Sequence, residues 1–111
     1  MGWNNLTALD QLNDIAEKSN TKAQLIFKHS TRCSVSSFAK RILNDEIDNQ
    51  YESKIDFHYL DLIAYREISN AIASKFNVFH ESPQILLIQN GKCTYHASHS
   101  DITLEKVDAF L

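Results

Sequence analysis

The chain has 111 residues, 43% hydrophobic and 23% charged, which suits one domain with a single modest core. Eleven basic against fourteen acidic residues leave a formal charge of −3, so no surplus of Lys and Arg is available to neutralise phosphates, and nucleic acid is not an expected partner. The apolar runs are too short to cross a bilayer, and two cysteines, Cys33 and Cys93, are too few for the disulfide framework of a small secreted fold.

Met1-Gly2-Trp3-Asn4-Asn5 lacks the basic and apolar regions of an export signal. The expectation is one domain over residues 1–111, cytoplasmic and reduced, with no membrane partner. Leu6, Leu9, Leu12 and Ala16 recur on one helical stripe and predict a first helix over Thr7 to Lys18. Ala23 to His29 has the short, mostly apolar character of a buried strand. Beyond Ser30-Thr31-Arg32-Cys33-Ser34 the period turns helical. Val35, Phe38, Ala39, Ile42, Leu43 and Ile47 mark a face that ends near Asp48-Asn49. A second strand is predicted at Ile55 to Leu62. Ile68, Ala71, Ile72 and Phe76 mark a third helix, and Pro83 then opens a strand from Gln84 to Gln89. Asn90-Gly91 is a strong hairpin signal and leads to a strand over Lys92 to Ala97. Asp101 or Thr103 is placed to cap a last helix through Leu111.

Strands joined through a helix are expected to be parallel with a right-handed crossover, and the Asn-Gly hairpin must be antiparallel. The resulting expectation is an α/β fold, a four-stranded mixed sheet with helices on both faces. A cysteine at the first strand-to-helix junction and a proline opening the third strand make this order the thioredoxin-like layout.

Cys33 is predicted to meet the unpaired N–H groups and the positive dipole end of a helix, which favour thiolate over thiol. The alternative is a small buried hydrophobe; the polar flank of Ser30, Thr31, Arg32, Ser34 and Ser36 favours the reactive thiol. Arg32 adds a neighbouring cation. Ser36 stands where a two-cysteine redox motif would hold its second sulfur, and its hydroxyl has two readings. It either donates to the thiolate or serves as an ordinary first-turn serine bound to backbone. Either way it cannot close a disulfide. Cys93 is expected at the far end of the sheet, roughly 16 Å away along five strand residues, beyond the reach of a disulfide. The spacing Cys93, His96, His99 superficially suggests a metal site, but on a regular strand Cys93 and His96 point to opposite faces, and no metal is expected. His29 and His99 are expected near the cysteine end. Ser100 and Asp101 offer either donors for a carboxylate of a bound thiol or a helix cap.

Phe27 to Cys33, Leu60 to Ile63, His80-Glu81-Ser82-Pro83-Gln84 and Tyr95 to Ile102 together resemble the monothiol bacilliredoxin family over nearly the whole chain. The resemblance implies a thioredoxin-like fold and a cytosolic role in bacteria whose main small thiol is bacillithiol. It implies that Cys33 is the nucleophile, with Thr31 and Arg32 in its loop and Ser36 in the place of the absent resolving cysteine. Pro83 would be a cis proline whose neighbour Ser82 presents backbone to the substrate. The implied partners are bacillithiolated client proteins and a low-molecular-weight thiol, with bacillithiol as co-substrate and no tightly bound cofactor. Where the family's loop often reads Thr-Cys-Pro-Ile-Ser, this chain has Arg32-Cys33-Ser34-Val35-Ser36. Two other classes are weighed beside this oxidoreductase. One is an iron–sulfur carrier, which Ser34-Val35 fit poorly; the other is a thioredoxin-like binding module.

Overall fold

The computed structural model describes residues 2–32 and 34–111. In chain order the elements are β1 (Trp3–Asn5), α1 (Asp10–Lys18), β2 (Ala23–His29), α2 (Ser34–Glu46), α3 (Asn49–Lys54), β3 (Ile55–Asp61), α4 (Arg66–Phe76), β4 (Gln84–Gln89), β5 (Lys92–Ser98), a 3₁₀ turn at His99–Asp101 and α5 (Leu104–Asp108). The sheet order is β1-β3-β2-β4-β5. β2 is parallel to β3 and antiparallel to β4, and β5 returns antiparallel to β4. The sheet therefore has five strands where four were expected. The additional strand is the short edge strand β1, parallel to β3 with Trp3 opposite Phe57.

Three residues are too few to display a period, which is why β1 was not legible. Tertiary contacts hold it: the Trp3 ring packs 5.7 Å from Phe27 and 5.9 Å from Phe57, and its Nε1–H donates to Asn44 Oδ1 at 2.7 Å. α3 was likewise unread; Asp48 starts it by accepting the Tyr51 N–H at 3.0 Å. α1 begins at Asp10, three residues after the expected Thr7. The Gln11 side chain reaches back to accept the Thr7 and Ala8 N–H groups at 2.7 and 2.9 Å, closing a turn before the helix.

The central strands are buried on both faces, so their side chains divide by alternation. Leu25, Phe27, Ile85 and Leu87 face α2 and α5 through Ala39, Leu43 and Val107. Ile26, Leu86 and Ile88 face α1 and α4 through Leu12, Ile15, Ile68 and Ile72. Burying side chains of this size is worth about 1.5–3 kcal/mol each. α4 stops at Asn77, whose left-handed φ of 56° ends the helix. At the tip of the β4–β5 hairpin Asn90 and Gly91 take φ values of 54° and 76°, the turn their sequence demands.

An extra residue in β5 bends the hairpin: Ile88 pairs with Cys93 and Leu87 with Tyr95, leaving Thr94 unmatched. This bulge corrects the expectation for Cys93 and His96. With Cys93 opposite Ile88 and His96 opposite Leu86, both stand on one face of the sheet instead of opposite faces. Among the described residues no three His, Cys, Asp or Glu side chains cluster as metal ligands, and no helix is long and apolar enough to cross a membrane.

Candidate functional site

The register gathers the candidate residues at one pole. Lys28 of β2 pairs with Gln84 of β4, and Gln84 pairs with Ser98 of β5. The end of β2, the Ser82–Pro83 segment before β4 and the turn after β5 therefore lie side by side. Cys33, the expected nucleophile, lies outside the described residues; in sequence it falls between the exposed turn Thr31-Arg32 and the start of α2 at Ser34.

Ser36, in the first turn of α2, is fully buried. Its Oγ accepts the Ser30 N–H at 2.9 Å and lies 2.8 Å from His29 Nδ1. With the imidazole proton on Nε2, Ser36 donates its single proton to Nδ1 and the hydroxyl is committed on both sides. Ser36 thus ties the first turn of α2 to the Ser30 backbone and to His29 at the end of β2. His29 is also buried and packs 5.5 Å from the Tyr59 ring, over which Lys40 Nζ stands at 4.5 Å. Burial first, then the Lys40 cation, hold the His29 imidazole below its ordinary pKa, so it is neutral at pH 7.

The Ser82–Pro83 peptide is cis, as the resemblance implied. Pro83 is buried, and its carbonyl accepts the His99 N–H at 3.0 Å. The fully buried Gln84 braces the loop before it: Nε2 donates to the Phe79 carbonyl at 3.0 Å, and Oε1 accepts the Glu81 N–H at 3.4 Å. Ser98 Oγ–H donates to Glu81 Oε1. Ser100 and Asp101 lie exposed in the 3₁₀ turn that follows β5, at the same pole. Of the two capping candidates, Thr103 caps α5 by accepting the Glu105 N–H at 3.3 Å, while Asp101 pairs with Lys106 at 3.5 Å.

Cys93 sits at the other pole, beside the Asn90–Gly91 turn. Its S–H donates to the Tyr95 carbonyl at 3.3 Å, and burial pushes the thiol up from its ordinary pKa, which disfavours reactivity. His96 and His99 are exposed.

Sequence reasoning missed a polar cluster beneath the pole. Lys28 is fully buried, its Nζ 3.2 Å from the Ser69 carbonyl and 3.3 Å from His80 Nδ1, and burial lowers its pKa to about 8. His80 Nδ1 also lies 3.3 Å from Ser69 Oγ. A lysine inside an otherwise apolar strand run was the available signal.

Residues 4–107 match the family described as Monothiol bacilliredoxin BrxC. A solved structure described as a thioredoxin-fold protein and proposed oxidoreductase is 32% identical. The alignment covers 96% of this chain and 91% of that one at a TM-score of 0.82. Mitochondrial thioredoxin 3 from Saccharomyces cerevisiae, in its oxidised form, is 23% identical over 96% of this chain and 93% of its own, at 0.72. A thioredoxin from Malassezia sympodialis is 16% identical over 99% and 87%, at 0.75. The last two share the fold.

Proposed function

The chain belongs to the monothiol bacilliredoxin family, among the thiol oxidoreductases of thioredoxin fold, and on that premise we propose that it removes bacillithiol from protein mixed disulfides through Cys33. In this cycle the Cys33 thiolate attacks the bacillithiol sulfur of a client's mixed disulfide. The new S–S bond joins Cys33 to bacillithiol, and the client sulfur leaves with the electron pair and takes up a proton. A second bacillithiol, or another thiol, then attacks as thiolate the bacillithiol sulfur of the adduct, breaking its bond to Cys33, releasing Cys33 as thiolate and forming a small-molecule disulfide. Ser82 and Pro83 offer backbone to the incoming disulfide, like a short added strand. Ser100 and Asp101, exposed beside them, are the proposed contacts for the carboxylate-bearing part of the small thiol, through hydroxyl and backbone N–H donors, and Thr31 and Arg32 flank the nucleophile. The clients are cytoplasmic, and no tightly bound cofactor takes part.

The observation that carries this reading is position 36. A hydroxyl engaged by Ser30 N–H and His29 stands where a second sulfur would resolve the adduct, so an outside thiol must finish the exchange. Incubation with a bacillithiolated client protein should leave a single bacillithiol adduct, on Cys33, by mass spectrometry. Cys33→Ala should drop release of the client thiol to the uncatalysed rate. An adduct confined to Cys93, or unchanged release in Cys33→Ala, would reject the proposal.

A further inference from the structure

The two glycines of the chain follow Met1 and Asn90, so Asn90–Gly91 is the one asparagine–glycine pair in the sequence. Asparagine is chemically labile, and a following glycine makes it more so. With no side chain to obstruct it, the glycine nitrogen closes readily on the asparagine side chain. Both residues are exposed to water, and both lie in the left-handed region, with φ values of 54° and 76°. In a two-residue hairpin loop the ladder bonds close through the flanking pair, here Gln89 and Lys92. The N–H groups of the loop residues themselves are left to find other partners.

Here both N–H groups are taken, and by a single residue of another element. Ser19, at the end of α1, accepts the Asn90 N–H on its carbonyl at 2.9 Å and the Gly91 N–H on its Oγ at 2.8 Å. The direction of the second bond is fixed. The Ser19 hydroxyl donates its single proton to the Ala16 carbonyl, which leaves its oxygen as an acceptor. Ser19 is 4% exposed, and its own N–H donates to the Ile15 carbonyl at 3.0 Å, so the clamp is anchored in α1.

We propose that Asn90 is a site of spontaneous deamidation and that Ser19 restrains it. The reaction needs the Gly91 nitrogen without its proton and turned onto the Asn90 side chain, and that N–H is the one Ser19 Oγ holds. Once a solvent base removes the proton, the nitrogen bonds to Asn90 Cγ and the side-chain nitrogen leaves as ammonia, giving a cyclic succinimide. Water then opens the ring. Breaking the bond from nitrogen to Cγ leaves aspartate; breaking the bond from nitrogen to the main-chain carbonyl carbon leaves isoaspartate. No oxidant or reductant takes part. Cyclisation therefore waits for the hairpin tip to open locally from α1, and its rate follows the population of that opened state. Either product adds one negative charge to the tip, and isoaspartate also lengthens its main chain.

The full chain is incubated at mildly alkaline pH, and conversion at Asn90 is followed by peptide mass spectrometry, with isoaspartate counted by enzymatic methylation. Folded wild type should convert more slowly than the same chain in urea. Ser19→Ala, which removes the acceptor for Gly91, should speed conversion in the folded state by about two- to tenfold, the worth of one net hydrogen bond. In urea the two chains should convert at the same rate. Glu46→Ala removes hydrogen bonds on the α2–α5 side of the sheet and controls for a general loss of stability. It should leave conversion at Asn90 near the wild-type rate. Hydrogen exchange of the wild type needs no variant, and the Gly91 N–H should be protected. Equal rates in folded and unfolded wild type, an unchanged rate in Ser19→Ala, equal acceleration by Glu46→Ala, or free exchange at Gly91 would each overturn the inference.

Discussion

Lys28 carries an ammonium into the layer between the sheet and α4, where it meets the Ser69 carbonyl and His80 but, among the described residues, no carboxylate. Burial lowers its pKa from 10.5 to about 8, which means the folded chain holds that proton less tightly than the unfolded one. The penalty is full below pH 8 and fades as pH rises towards 10.5, because the neutral amine is buried more easily. Lys28→Met should therefore stabilise the protein at pH 7 by about 1–3 kcal/mol in urea unfolding, with a gain that shrinks above pH 8. At this scale the sequence disclosed residue types and their order, enough to expect the cis peptide at Pro83 through the resemblance. It did not disclose partners. That Ser36 is spoken for by Ser30 and His29 depends on groups brought together by folding.

Elements were legible in proportion to their burial and length. β2 and β4 match their predicted ranges residue for residue, since strands covered on both faces read as plain apolar runs. β1 and α3 were invisible because three and six residues carry no usable period. α5 shows what a local reading omits. Five residues do not sustain a helix on their own propensity, and part of its support comes from the end of α2. Glu46 accepts the Thr103 hydroxyl at 2.6 Å and the Leu104 N–H at 2.9 Å, covering a helix start 57 and 58 positions away. Glu46→Ala should cost about 1–2 kcal/mol in thermal denaturation, and Glu46→Gln less, because the amide oxygen still accepts one N–H.

For the whole molecule, the fold class followed from element order and from two marker residues, while the proton balance of the interior did not. His58 is buried, its Nε2 paired with Gln24 Oε1 at 2.8 Å, and burial lowers its pKa from 6.5 to about 4. Between these values the unfolded chain binds a proton that the folded chain refuses, so stability falls as pH drops through that window. His29 and His80 are lowered too, chiefly by burial, and act in the same direction. Urea unfolding at pH 7 and pH 5 should differ by about 2 kcal/mol on account of His58 alone, with the acid side weaker. His58→Gln should remove most of that difference. Position 36 has a consequence for the protein in the cell. With a hydroxyl there, on the proposed cycle, the covalent intermediate persists until a free small thiol arrives. The fraction of molecules waiting in that half-finished state then rises when reduced thiol is scarce, so the protein's own occupancy becomes a gauge of the supply it draws on.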